Sequence, residues 1–227
     1  MEVRLSVRTL FVLSGVLLIA GGIGGVVAHV LHLQYHPTHV SQIMPYVSKS
    51  EPVHVLLFAS VLLVMLGLPG VLIRQHEKTG VVGLIGFVFV YFGLMFGEGL
   101  HCVLEFGIYP AMAKQVPNEM ISVIDQMYHG SPYAFLEVGG SGLLLLGVLM
   151  LGASMLKAGI LPRWTALLLL ATDVAALLAF IPVTHRLIGG RFPVVLYLAF
   201  TGTGYSLLQE RSAQVQTKTL GHSVGRT

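Results

Sequence analysis

The sequence has few charged residues and a single cysteine. Lys, Arg, Asp and Glu make up 10% of the 227 residues, whereas a soluble domain has about 25%. The one cysteine, Cys102, excludes an internal disulfide and thiolate-rich zinc or iron–sulfur sites, because such sites need several cysteines. The basic residues behind the net charge of +3 are scattered in short loops, so we expect no nucleic-acid partner.

Common catalytic motifs are also missing. The chain contains no P-loop, no dinucleotide-binding glycine fingerprint and no Gly-x-Ser-x-Gly nucleophile elbow. No lysine lies inside an apolar run, which excludes a retinal Schiff base. The imidazole and carboxylate side chains are therefore the groups that can carry chemistry.

Long apolar runs dominate what is present. Hydrophobic residues make up 55% of the chain, and a run must be about 20 residues long to cross a hydrocarbon core of about 30 Å. Six runs meet this need, the third overlong and the sixth short: Thr9–Leu33, Pro52–Ile73, Gly80–Met112, Tyr133–Leu156, Leu161–Val183 and Phe192–Leu208. The pattern predicts an all-α, polytopic integral membrane bundle of about six transmembrane helices in residues 1–210, with a polar tail at 211–227.

The distribution of Lys and Arg predicts the orientation, because cytoplasmic loops carry an excess of both. Nine lie on one side, at residues 4, 8, 74, 78, 157, 163, 211, 218 and 226, and four lie on the other, at residues 49, 114, 186 and 191. This places both termini in the cytoplasm of a bacterial-type cell, with a multi-pass protein in the inner membrane. The run from Thr9 to Ala28 is longer than a signal-peptide core, so we expect it to be retained.

Two apolar segments carry the same polar spacing. The positions i, i+3 and i+7 hold His29, His32 and His36 in the first segment, and Glu98, His101 and Glu105 in the third. On a helix, each triplet lines one face. Because ionisable side chains inside a bilayer are costly, they usually face a site rather than lipid.

Other polar residues fall on the same predicted side of the membrane. His54 begins the second span, Glu137 lies near the start of the fourth, and eight of the ten histidines are on this outer side. Glu98 and His101 are near the interface, where a charge costs less than at the centre. Asp173 is different, because it lies about 14 Å along its helix from Trp164, near the membrane centre.

These residue types suit a metal site. We predict that the metal ligands are drawn from six residues: His29, His32, His36, His54, His101 and Glu105. Imidazole and carboxylate bind Zn, Fe or Cu, and residues four apart on a helix, such as His32 and His36, can chelate one ion. We expect Glu98 and Glu137 to orient the ligands or to act as a base. Alternatively, His29 and His101 hold a haem iron.

Each candidate also has a purely structural alternative. His29 and His32 can make interhelical hydrogen bonds, His36 can lie in a solvated loop before Pro37, and Asp173 can be a satisfied core carboxyl. Four tyrosines, Tyr46, Tyr109, Tyr128 and Tyr133, are expected to form an outer aromatic belt. The Gly93-x-x-x-Gly97 pair is expected to pack helices closely.

The stretch from Leu100 to Glu105 resembles part of the emopamil-binding sterol isomerase family. The match consists of His101, Glu105 four residues later, and Glu137 in the following helix. The resemblance implies that these three side chains move a proton across a carbon–carbon double bond of a lipid. The chain also looks like multi-span bacterial membrane proteins, which supports the membrane-protein class but indicates no reaction.

Three functional hypotheses follow. The first is a membrane metalloprotein, with enzymatic activity on a lipophilic substrate, in which Glu98 and Glu137 serve catalysis. The second is a metal-free isomerase or binding protein for a lipid. The third is a proton-coupled transporter with Asp173 as its coupling group, although no clear inverted repeat is seen. Membrane lipids are expected partners in each case, and a homo-oligomer is compatible with all three.

Overall fold

The computed structural model describes the backbone of residues 6–185 and 189–224, and the side chains of residues 6–184 and 189–209. Within these ranges the structure is 90% helical and contains no strand. Three basic residues used for the predicted orientation, Arg4, Arg186 and Arg226, lie outside the described residues. So do residues 225–227 of the predicted tail and all of its side chains.

The chain folds into nine α-helices within the described ranges. They are α1 (Val7–Leu31), α2 (Val40–Gly93), α3 (Leu100–Val103), α4 (Tyr109–Gln115), α5 (Pro117–Tyr128), α6 (Pro132–Ala158), α7 (Arg163–Ala179), α8 (Pro182–His185) and α9 (Pro193–Val224). Two π-helical segments, Leu94–Gly99 and Leu104–Ile108, flank α3, and a short 3₁₀ turn spans Gly189–Arg191. The fold class predicted from the sequence is confirmed as all-helical.

Local side chains explain where the helices begin and end. The Ser6 hydroxyl accepts a hydrogen bond from the Thr9 amide at 3.0 Å, which caps α1. The Gln42 side chain accepts from the amides of Thr38 and His39 and so fixes the start of α2. Ser131 caps α6 in the same way, and α6 ends at Gly159 in the left-handed conformation.

A break at Gly80 folds α2 back on itself. Gly80 has φ +59° and ψ −155°, which is not helical and which favours glycine. His54 precedes it by about 39 Å of helix and His101 follows by about 32 Å, yet their Nε2 atoms are 3.2 Å apart. The segments on either side of Gly80 therefore form an antiparallel hairpin.

Glycines bring the second arm of this hairpin against α6. A Cβ atom added to Gly93 would lie 2.5 Å from the Leu144 backbone nitrogen. One added to Gly140 would lie 2.5 Å from the nitrogen of Gly97. The close packing predicted for the Gly93-x-x-x-Gly97 pair is thus present, and it holds the segment that carries Glu98 and His101 against the helix that carries Glu137.

Among the described residues, three helical stretches are long and apolar enough to cross a membrane. They are Val7–Leu31, Val40–Gln115 and Pro132–Ala158. The 76 residues of the second stretch correspond to about 114 Å of helix, which fits the hairpin at Gly80. In the packed bundle, α1 lies between α2 and α9, and α6 lies between α2 and α7. The membrane class predicted from composition is supported.

Candidate metal centre

Three histidines from three different segments converge at one end of the bundle. His32 follows the last residue of α1, His54 lies in the first arm of α2, and His101 lies in α3. The His54 Nε2 atom is 3.0 Å from Nε2 of His32 and 3.2 Å from Nε2 of His101. One ligand atom from each histidine lies within 4.8 Å of the other two, an arrangement able to hold a metal ion. We call these three residues the histidine triad.

Contacts around His54 fix which ring nitrogen carries the proton. Its Nδ1 is 2.9 Å from the carbonyl oxygen of Ser50, which can only accept a hydrogen bond. It is also 3.0 Å from the Ser50 hydroxyl oxygen, whose proton goes to Glu105 at 2.7 Å. Nδ1 therefore donates to both oxygens. In the neutral ring, the Nε2 lone pair then points into the triad.

The His101 ring, like that of His54, is oriented by contacts at its Nδ1 atom. Its Nδ1 is 3.3 Å from Oε1 of Glu137 and 3.2 Å from the hydroxyl of Tyr128. An ionised carboxylate only accepts hydrogen bonds, so Nδ1 carries the proton and Nε2 presents a lone pair. When both rings are neutral, two lone pairs, on His54 and His101, face each other at 3.2 Å. A cation between them would turn this repulsion into attraction.

Two of the three separations within the triad are close to those of ligands around one ion. Zn–N bonds of about 2.0–2.1 Å in tetrahedral geometry place two ligand nitrogens about 3.3–3.4 Å apart. The two Nε2 separations of 3.0 and 3.2 Å are slightly shorter. The ligand atoms of the remaining pair, His32 and His101, lie within 4.8 Å of each other, so small shifts of the rings would accommodate an ion.

His32 is the third member and lies just beyond the end of α1. His54 and His101 are its close neighbours, and a neutral imidazole is the form that binds metal. Gln34 sits beside it, with the amide nitrogen 3.4 Å from Nδ1, and anchors this turn by accepting a hydrogen bond from the Gly190 amide at 2.8 Å.

Glu105 lies behind the triad. It is 1% exposed, and its two oxygens accept hydrogen bonds from Tyr46 and Ser50, both at 2.7 Å. His36 approaches the same carboxylate at 3.5 Å. Glu105 therefore supports His54 through Ser50, while His36 stands apart from the three converging nitrogens.

The predicted outer belt of tyrosines is wrong for two of its members. Tyr46 is 2% exposed and Tyr109 is fully buried. Tyr46 is held inside by its hydrogen bond to Glu105, a contact between residues 59 positions apart. Sequence reasoning missed both Tyr46 and Ser50, whose spacing to Glu105 gives no local signal.

A second buried pair lies next to the triad. His29 in α1 places its Nε2 3.4 Å from Oε2 of Glu98, which belongs to the π-helical segment Leu94–Gly99. The ring of Tyr197 packs against His29, with centroids 5.3 Å apart. Glu98 is also near enough to interact electrostatically with all three histidines of the triad.

The structure thus sorts the predicted site residues into three groups. His32, His54 and His101 converge, and five others surround them: His29, His36, Glu98, Glu105 and Glu137. Asp173 lies in α7, and in the described part of the chain its Oδ2 is buried without a hydrogen-bond partner. It makes no described contact with the triad.

The geometry also bears on the resemblance to the sterol isomerases. His101 does contact Glu137, at 3.3 Å. Glu105, however, uses both oxygens to accept hydrogen bonds from neighbouring side chains.

Comparison of the chain with protein-family models, with curated proteins and with solved structures finds no match.

Proposed function

We propose that this chain is a six-span membrane metalloprotein in which the histidine triad binds one transition-metal ion, with Zn²⁺ as the best fit. Both termini lie in the cytoplasm, in a bacterial-type inner membrane, and the triad lies in the extracytoplasmic half. The observation that carries the proposal is the convergence of three Nε2 atoms, two of which present lone pairs fixed by Ser50 and Glu137.

The ligand set favours particular metals. Three neutral imidazoles without thiolate suit Zn, Cu, Fe or Ni. A haem would need room for its macrocycle between two histidines, whereas the triad's nitrogens are 3.0 and 3.2 Å apart. A single ion therefore fits better than haem.

Three protein ligands favour an enzyme over a structural site. Structural zinc sites use four protein ligands, whereas catalytic sites use three and leave one position for water or substrate. Glu98 is the buried carboxylate that interacts with every member of the triad, and we assign it the role of accepting a proton from a bound water. Glu137 and Ser50 hold the ligands in place.

A cavity on the far side of Tyr128 lies on the route that we assign to a substrate. It has a volume of about 610 Å³, and its lining includes His36 and Tyr128. Tyr128 also contacts His101 at 3.2 Å, so this side chain separates the cavity from the triad. Access from this side suits a small molecule that reaches the protein at the membrane surface.

Metal content tests the proposal. The protein is purified in detergent after growth with added zinc, and metal per chain is measured by mass spectrometry. Wild type and the control His76→Gln, which changes an exposed histidine outside the triad, should contain zinc. The variant His54→Gln should lose it.

Two results would contradict the metal site. One is a wild-type protein without metal under zinc, iron and copper supplementation. The other is His54→Gln protein with the wild-type metal content. A metal-free wild type would favour the alternative function, in which the His101–Glu137 pair transfers a proton. A Soret absorption band would indicate haem.

A further inference from the structure

The pair formed by His29 and Glu98 is poorly satisfied for its burial. His29 is 4% exposed, and in the described part of the chain neither ring nitrogen has a hydrogen-bond partner. The 3.4 Å between Nε2 and Oε2 is too long for a charge-assisted hydrogen bond, which measures about 2.7–2.9 Å. Most buried polar atoms in proteins do have partners, so this pair is missing one.

Tyr197 shows the same deficiency at the same place. It is 0% exposed, it packs against the His29 ring, and its hydroxyl has no hydrogen-bond partner among the described residues. The Tyr197 hydroxyl is thus a third buried polar atom near Glu98 without a partner, in addition to the two ring nitrogens of His29. Their position in one small region points to a group bound between them.

The charge of the region also permits more than one divalent cation. Three buried or half-buried carboxylates, Glu98, Glu105 and Glu137, surround the triad. Within the described residues, their contacts are with histidine, serine and tyrosine. With neutral imidazoles, the three carboxylates carry a charge of −3, one divalent ion leaves −1 and two leave +1, so the charge allows a second ion without requiring it. Buried charges are normally paired or bound to metal.

We propose that His29 and Glu98 bind a second metal ion, beside the ion of the triad, so that the site is dinuclear. Tetrahedral ligands at about 2.0–2.2 Å from an ion lie about 3.3–3.5 Å apart, and the observed N···O separation is 3.4 Å. The rings of His29 and His32 stack with centroids 6.3 Å apart, so the two ions are neighbours. This inference rests on the proposed function and refines the role of Glu98, which would bind the second ion through Oε2 and keep Oε1 to accept the proton of a bound water.

Cobalt titration tests the second ion. Chelator-treated protein in detergent is titrated with Co²⁺ while the visible d–d bands and bound cobalt per chain are recorded. Wild type should saturate at two equivalents. The variants His29→Gln and Glu98→Gln should saturate at one and keep the band of the triad site. The matched control is Asp125→Asn, which alters an exposed histidine–carboxylate pair with a similar separation of 3.2 Å, and it should keep two equivalents.

The outcomes separate this inference from the proposed function. Saturation of wild type at one equivalent, unchanged in both variants, overturns the second ion and leaves the triad site standing. A wild type that binds no cobalt overturns both. Because the wild-type stoichiometry is decisive alone, a variant that fails to fold does not rescue the inference. Glu98→Asp, which retains a carboxylate, should bind more than one equivalent.

Discussion

Replacing Glu137 by Gln tests how strongly the surroundings of the triad hold the metal. The change keeps the side-chain shape and an oxygen acceptor for Nδ1 of His101, and it removes only the negative charge. That charge strengthens the basicity of the metal-binding Nε2 on the same ring. We therefore expect zinc to bind more weakly, with the fold unchanged.

The structure sets the size of the effect. Loss of a hydrogen-bonding partner behind a metal-binding histidine costs about 10–100-fold in affinity. The contact from Glu137 to His101 is long, at 3.3 Å, and the Glu137 side chain is 20% exposed, so solvent screens part of the charge. We place the loss at the lower end, about tenfold, which corresponds to about 1.4 kcal/mol.

Competition with a zinc chelator of known affinity measures this difference on detergent-solubilised protein. The matched control is Glu119→Gln, which removes an exposed carboxylate in α5. The control should bind zinc as wild type does. Equal affinity in the Glu137→Gln variant and wild type, or equal losses in both variants, would refute the idea that Glu137 supports the ligand.

Two further predictions concern stability, measured by thermal unfolding in detergent. Gly140→Leu should destabilise the bundle by about 3 kcal/mol, the upper end for overpacking, since its Cβ would lie 2.5 Å from a backbone nitrogen. Gly139→Leu on the same helix should be tolerated, because a Cβ at Gly139 meets no atom within 4 Å. Equal melting temperatures of the two variants would contradict the packing. Tyr46→Phe removes a hydrogen bond to the Glu105 carboxylate and should lower the free energy of unfolding by about 1.5–3 kcal/mol. Its control, Tyr35→Phe, changes an exposed ring and should lower it by less than about 0.5 kcal/mol. Similar losses of stability in the two variants would count against a structural role for the Glu105 contact.

The sequence was sufficient to predict an all-helical chain with membrane-class helices, and it named the three histidines that the structure brings together. Apolar runs marked the membrane-class helices, and the position of each histidine along its run placed His54 with the first triplet. Glu137 was expected near His101 for the same reason. These inferences work because apolar length and position along a helix are local properties of the chain.

Which residues of the two triplets join the histidine triad, and which contact other partners, could not be predicted. A regular helix would carry Glu98, His101 and Glu105 on one face, toward one partner. The two π-helical segments, Leu94–Gly99 and Leu104–Ile108, each change the angular offset between these residues. As a result, the three side chains contact different partners, and only His101 joins the triad.

The supporting contacts were also beyond sequence reasoning. Tyr46 and Ser50 reach Glu105 across 59 and 55 positions, and they do so because α2 begins at Val40, before the apolar run that marked its span. Prolines at residues 45 and 52 lie inside this helix and would ordinarily suggest a boundary. Tertiary packing decides where the helix begins.

The central claim is that one metal ion is bound by His32, His54 and His101. The most direct test is an anomalous difference map at the zinc edge, from crystals of protein purified with added zinc. We predict a peak about 2.0–2.1 Å from Nε2 of all three histidines. A map without a peak in contact with these nitrogens would contradict it.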